Sequence, residues 1–347
     1  MGKVYILGID TSNYKTSIAV TDEEGTIVAD ERQLLKVREG ERGLRQQEAL
    51  FQHVENLPVL YERIMQTLKN KQIAAVAVST RPRPVEGSYM PCFKAGITFG
   101  KAVALSLNVP FYEFSHQEGH LQAAKGYSEL KDSEDYIGWH LSGGTCEVLS
   151  GKENLRIIGG SKDISFGQVI DRAGVAMGFP FPAGSHMDRF IERISADEVK
   201  EMEAFLAGRY HVDLKLSPIK IQEGWFNLSG METQCQRIIE KLQKLKSEEN
   251  EYHTACKVLT FRIFERTGEA IEKVSLELCR KFAVKSLVFS GGVSESLYIR
   301  KHLKDSLEGR LKLVYSPRSL SEDNGVGIAL LGGKAYEQDT HKGFTTE

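Results

Sequence analysis

Tyr5-Ile6-Leu7-Gly8-Ile9-Asp10-Thr11-Ser12 and Tyr136-Ile137-Gly138-Trp139-His140-Leu141-Ser142-Gly143-Gly144-Thr145 are two renderings of one pattern. Each is an apolar run that ends in a turn of small and hydroxyl residues, and each is followed by a returning run, at 16–21 and at 146–149. A polar turn then leads to a third short run from Ile27 or Leu155, through Asp22-Glu23-Glu24-Gly25 in the first copy and Gly151-Lys152-Glu153-Asn154 in the second. Short apolar runs punctuated by such turns read as a β-meander. Helical spacing follows both copies: Leu50, Val54, Leu57, Leu60, Tyr61, Ile64 and Leu68 after the first, and runs near 165–177, 231–247 and 252–281 after the second. Further strands are expected at 74–79, from Val109, at 286–289 and at 311–315, and further helices at 95–107 and 323–335. A meander followed by helices, twice over, predicts an α/β chain of two duplicated halves. The charged, sparsely apolar stretch 125–135 marks the boundary. The first half is expected at 1–130, joined by a C-terminal helix at 324–347, and the second at 131–323.

Composition narrows the function classes. The 347 residues are 41% apolar and 27% charged, which excludes a disordered chain, a collagen-like fibre and a disulfide miniprotein. Forty-five Lys and Arg face 47 Asp and Glu, a net charge of -2, so contact with nucleic acid requires a local basic patch or a partner. Five scattered cysteines form no C-x-x-C pair and suit reduced thiols. The N-terminus has no signal-peptide architecture and no apolar run is long enough for a bilayer, so a cytoplasmic protein without membrane association is expected.

Three glycine-rich turns carry chemistry. Gly8-Ile9-Asp10-Thr11-Ser12 presents backbone N–H groups and hydroxyls at a hairpin tip, where Asp10 would hold a metal ion or water beside phosphates. Ser142-Gly143-Gly144-Thr145 stands at the equivalent point of the second copy, and Ser290-Gly291-Gly292-Val293 lies between a strand and a helix. Each also fits an ordinary tight turn; together they point to a nucleotide cleft between the halves. His116-Gln117-Glu118-Gly119-His120 places two imidazoles at i and i+4, one above the other on a helix, where one divalent metal takes both. The competing reading is a surface helix start with Ser115 as N-cap. A zinc protease would need its general-base Glu at the position of Gln117, so peptide hydrolysis by that route is disfavoured.

These pieces resemble, along nearly the whole chain, the family that makes threonylcarbamoyladenosine in tRNA, whose catalytic subunit was long called O-sialoglycoprotein endopeptidase. The matching motifs are His116–His120 with Glu-Gly inside it, Asp323 before Asn324-Gly325, Ser142-Gly143-Gly144, Asp171-Arg172 followed by Gly178-Phe179-Pro180-Phe181-Pro182-Ala183-Gly184, Ser229-Gly230-Met231-Glu232-Thr233, and Gly291-Gly292-Val293. The resemblance implies an actin/Hsp70-like ATPase (ribonuclease-H-like) fold. It implies one transition metal, iron or zinc, on His116, His120 and Asp323. An ATP- or AMP-type nucleotide, with magnesium in an ATPase variant, would be bound by Asp10, Thr11, Ser142, Gly143, Gly144, Thr145, Asp171, Gly184, Gly291, Gly292 and Ser296. The implied reaction is acyl transfer from threonylcarbamoyl-adenylate to adenosine of tRNA, with auxiliary threonylcarbamoylation proteins as partners and no general base assigned. Departures cluster at the expected cleft. Thr145 replaces a His, Ser296 an Asn and Glu232 a Lys, and a Gly-Pro-Gly loop has become Arg81-Pro82-Arg83-Pro84. Arg81 and Arg83 are therefore expected either to bind anions or to form a solvated basic loop. A patch around Arg32, Lys36, Arg38, Arg42 and Arg45 is the expected tRNA contact. Carbamoyl transfer to another acceptor, a plain ATPase or kinase using Asp10, and a non-catalytic nucleotide sensor remain open readings.

Overall fold

The computed structural model describes residues 3–12, 14–37, 44–69, 71–152 and 155–343. The chain opens with strands β1 (Tyr5–Asp10), β2 (Lys15–Asp22) and β3 (Ile27–Leu34), helix α1 (Gln46–Leu68), strand β4 (Ile73–Arg81), helix α2 (Phe93–Leu107), strand β5 (Phe111–Ser115) and helix α3 (His116–Lys125). A second series follows: β6 (Ile137–Leu141), β7 (Cys146–Ser150), β8 (Arg156–Ser161), α4 (Phe166–Met177), α5 (Gly184–Ile191), α6 (Ala196–Tyr210), β9 (Trp225–Phe226), α7 (Ser229–Leu242), α8 (Glu249–Phe282), β10 (Ser286–Ser290), α9 (Leu297–Leu307) and β11 (Lys312–Tyr315). Helix α10 (Val326–Gly343) closes the chain.

The first sheet has the order β3-β2-β1-β4-β5, and the second runs β11-β10-β6-β7-β8-β9. Apart from the two-residue β9, both are the same object: a meander with two further strands added beside its first strand. β1 pairs antiparallel with β2 and parallel with β4, as β6 does with β7 and β10. Two such ribonuclease-H-like units in one chain constitute the actin/Hsp70-like ATPase fold. Contacts assign Met1–Glu134 and Tyr315–Glu347 to the first unit, and Asp135–Glu153 and Ile157–Val314 to the second. The return to the first unit at Tyr315, rather than at 324, places Asp323 in the same unit as the two histidines.

In the first unit, Leu7 and Ile9 of β1, Ile18 and Val20 of β2 and Val76 and Val78 of β4 pack against Leu57, Leu60, Ile64 and Leu68 of α1. Val54, expected on that apolar face, is 54% exposed, and His53 takes the buried position instead. Two glycine contacts bring α10 close. A Cβ at Gly8 would lie 2.3 Å from Gly325 O, and one at Gly327 would lie 1.9 Å from Gly119 O. Only glycine permits these approaches. α10 begins at Val326 rather than 323 because Asn324 is a cap: its Oδ1 accepts from Gly327 N at 3.0 Å.

Helices α5 and α6 are additions to the sequence reading. α6 buries only Val199 and Leu206, too few apolar residues to show a period. Its start was nevertheless written in Ser195-x-x-Glu198, a capping box. The same device starts α3 at Ser115 with Glu118 and α4 at Ser165 with Gln168.

Candidate functional site

β5 runs directly into α3, so His116 is the first helical residue and the capping box fixes its approach. His120 lies one turn further, and its ring meets that of His116 edge-on with centroids 4.4 Å apart. The close packing of Gly119 on Gly327 then brings Asp323, just before α10, to the same point. His116 Nε2, His120 Nε2 and Asp323 Oδ1 form a triangle with edges of 3.0, 3.3 and 3.4 Å. Ligands about 2.0–2.1 Å from a tetrahedral metal stand about 3.3 Å apart, so the triangle has the size of a metal face. Two Nε2 atoms 3.0 Å apart share at most one proton, whereas one cation satisfies both. The described residues thus bring together a donor set that suits a metal ion.

The surrounding carboxylates favour positive charge at this point, and a proton on His116 and a metal ion compete for it. Burial opposes a charged His116, but the Asp10 and Asp323 carboxylates overcome it and hold His116 up at about 10. Burial and the neighbouring His116 charge push His120 down. Burial alone would raise Asp323, yet hydrogen bonds from both histidines keep it well below the usual carboxylate range.

Asp10 serves this centre from behind. It is fully buried, and its Oδ1 lies 3.1 Å from His116 Nδ1. Ser79 Oγ donates to Oδ1 as well, and Ser12 Oγ donates to Oδ2 at 2.7 Å. A carboxylate on Nδ1–H orients the ring and leaves Nε2 as the ligand atom. The carboxylate expected beside phosphates is therefore turned toward a histidine. Thr11 is also turned inward, donating to Cys92 O and accepting from Gly96 N, both at 3.2 Å.

Within the second unit, Ser142 and Thr145 close the β6–β7 turn on themselves: Ser142 N donates to Thr145 O at 2.9 Å and Thr145 N to Ser142 Oγ at 3.0 Å. Cys146 is buried and its thiol is pushed up to about 12 by burial, so it stays protonated at neutral pH. A Cβ at Gly143, Gly144 or Gly292 would meet no atom within 4 Å, and none of the three has positive φ. Nothing inside the unit demands glycine there. Gly291 is different, with φ of +89° and Leu141 O 2.4 Å from any Cβ, so it is required by the fold. Gly184 opens α5, and Asp171 Oδ1 accepts from Ala183 N at 2.8 Å just before it. Burial pushes the Asp171 carboxyl up, against the N–H groups of Ala183 and Gly184.

Ser296, at the position where the resemblance implies a ligand contact, is engaged within the second unit. It is buried, caps α9 by accepting from Ile299 N, and donates to Asp188 Oδ1 at 2.7 Å. Asp188, which sequence reasoning missed, also accepts from Leu297 N at 2.7 Å and Tyr298 N at 3.2 Å. The Arg81 guanidinium lies 3.7 Å from Glu118, and Arg83 N donates to Ser88 Oγ at 3.1 Å. In the expected basic patch, Arg32 is taken up by Asp30 and Ser319 O, Lys36 and Arg45 are exposed, and Arg38 and Arg42 lie outside the described residues.

A family model described as tRNA N6-adenosine threonylcarbamoyltransferase matches residues 30–330. The chain belongs to that family. A relative of that name from Thermus thermophilus is 26% identical over 346 residues, covering 97% of this chain and 94% of the relative. One from Mesomycoplasma hyopneumoniae is 28% identical, covering 93% and 95%. Among solved structures, HypF of T. kodakarensis superposes with a TM-score of 0.60 at 14% identity, over 97% of this chain and 48% of that one, a likeness of fold. Among the described residues no helix is long and apolar enough to cross a membrane.

Proposed function

We propose that this member of the family transfers a threonylcarbamoyl group from threonylcarbamoyl-AMP to N6 of an adenosine in tRNA, with one iron or zinc ion held by His116, His120 and Asp323. The observation that carries the reading is the triangle of donor atoms, with edges of 3.0 to 3.4 Å, in a chain that the family matches over 30–330. Imidazole and carboxylate ligands suit both metals, and a bound ion would supply Lewis acidity to an anionic or carbonyl oxygen.

The donor is a mixed anhydride and already activated, so the protein's task is placement rather than nucleophilic attack. Asp10 fixes the ring of His116, and Ser115 with Glu118 fixes the start of α3. Gly143, Gly144 and Gly292 leave backbone open to an adenylate, and Asp171 holds the approach to Gly184. No general base is assigned. With a net charge of -2, tRNA docking rests on exposed residues such as Lys36 and Arg45 or on an auxiliary protein. Carbamoyl transfer to a different acceptor is the second reading. Glu232 favours it, because this acid stands where the family resemblance implies Lys and pairs with Arg172 at 2.8 Å.

The test is incubation with tRNA, threonine, bicarbonate, ATP, an adenylate-forming enzyme and auxiliary proteins, followed by nucleoside analysis. Threonylcarbamoyladenosine that disappears with His120→Ala supports the reading. Its absence under conditions in which a relative succeeds refutes it and favours the second.

A further inference from the structure

Two carboxylates, Asp323 in the donor triangle and Asp10 behind His116, would cancel the charge of one divalent ion. The acyl-adenylate is itself anionic, in its threonyl carboxylate and its phosphate. A centre of no net charge exerts little longer-range attraction on an anion, and a further cation nearby would supply it.

β2 begins at Lys15, and strand alternation puts Lys15 on the same face as Ser17. Ser17 Oγ donates to the backbone oxygen of Asp323 at 3.3 Å, so this face lies against the turn that carries the third ligand. The Lys15 ammonium is ion-paired with Glu322, the residue next to that ligand. Lys15 is recessed, with 20% of its side chain exposed, whereas Glu322 is 67% exposed. Arg32, paired in register with Ser17, is held differently: Asp30 binds it through two nitrogens and Ser319 O accepts a third hydrogen bond at 2.7 Å. One cation is therefore locked by its own strand, and the other is held by a glutamate with most of its surface in water.

We propose that Lys15 is the anion contact of the metal centre: its ammonium takes the carboxylate or phosphate of the donor when Glu322 turns into solvent. The proposal rests on the transferase reading for the presence of an acyl-adenylate. Exposed ion pairs exchange readily with water and with other anions, so Glu322 serves as a placeholder. The recessed position of Lys15 favours a small anion over an RNA phosphate.

The test uses the metal-loaded full chain with two probes, AMP and N-carbamoyl-L-threonine, in calorimetric titrations of wild type, Lys15→Met, Lys15→Arg and Glu322→Gln. Metal content and Tm are measured in parallel. Loss of a charged hydrogen bond weakens binding about tenfold, so Lys15→Met should bind one probe about tenfold less tightly, at unchanged metal content. The affected probe shows whether the phosphate or the carboxylate is held. Lys15→Arg should retain most of the affinity, and Glu322→Gln should bind at least as tightly as wild type. Equal binding of both probes by wild type and Lys15→Met overturns the proposal. So does loss of metal in Lys15→Met, a wild type that binds neither probe, or weakened binding confined to tRNA. A wild type with Lys15-dependent affinity that never modifies tRNA refutes the transferase reading and leaves this one standing. Modification of tRNA with binding indifferent to Lys15 does the reverse.

Discussion

Replacing Gly327 by Ala tests whether the contact between α3 and α10 builds the metal centre. The new Cβ would stand 1.9 Å from Gly119 O, whereas real Cβ contacts essentially never fall below 3.0 Å. The obstructing atom is a backbone carbonyl inside a helix, so it cannot rotate aside. The helices must part by at least about 1 Å, and overpacking of this kind costs ~1–3 kcal/mol, here at the upper end. At about 2–4 °C per kcal/mol, Tm should fall by roughly 6–12 °C. The separation also acts on the triangle. The edge between His116 and His120 lies within α3, but the edges of 3.3 and 3.4 Å to Asp323 cross between the parted elements. Lengthened by about 1 Å, they no longer fit bonds of about 2.0–2.1 Å, and metal affinity should drop roughly 10–100-fold. Gly333→Ala on the same helix is the control. Its nearest neighbour is Ile6 Cγ1 at 3.8 Å, so it should stabilise by ~0.5–1 kcal/mol through helix propensity. Thermal unfolding and elemental analysis after dialysis measure both effects. A Gly327→Ala protein with wild-type Tm and full metal content would refute the reasoning.

Three further outcomes are expected. Burial, outweighing the Asp10 and Asp323 carboxylates, holds His53 down at about 4 against an ordinary 6.5. The unfolded chain takes up this proton first, so the stability tied to His53 is complete above about 6.5 and is lost as pH falls toward 4, by up to ~3 kcal/mol; His53→Gln should flatten denaturant midpoints between pH 7 and 5, and an unaltered slope counts against the assignment. Asp188→Ala leaves the Ser296 hydroxyl and the N–H groups of Leu297 and Tyr298 without their acceptor, at a cost of about 2 kcal/mol in equilibrium unfolding; a change below about 0.5 kcal/mol would show that water replaces the carboxylate. Ser115→Ala removes the acceptor for Glu118 N and should destabilise by about 1 kcal/mol and weaken metal binding through His116, while Ser115→Asp keeps both near wild type; equal metal affinity in the two variants would separate the cap from the centre.

The sequence alone was enough for the architecture, because a meander is written locally: apolar runs of strand length, turns of Gly, Asp and Asn, then helical spacing. Repetition of that pattern at Tyr5 and Tyr136 was sufficient for the two units. The histidine pair was legible for the same reason, since residues at i and i+4 meet on any helix, and the structure adds the Ser115–Glu118 capping box that starts this one. Asp323 entered through the family motif; spacing from the histidines says nothing about it. What only the tertiary structure decided is which distant groups meet. Asp10 supports His116 across 106 positions, Ser296 donates to Asp188 across 108, and Lys15 finds Glu322 across 307. None of these pairs shares a helix face or a strand register, so no period in the sequence connects them. They follow from close approach of whole elements, which glycines such as Gly119 and Gly327 permit, and from burial, which obliges each polar group to find a partner wherever the packing places one. For that reason Asp10, Thr11 and Ser296, which read as ligand contacts in the sequence, spend their side chains on the protein itself.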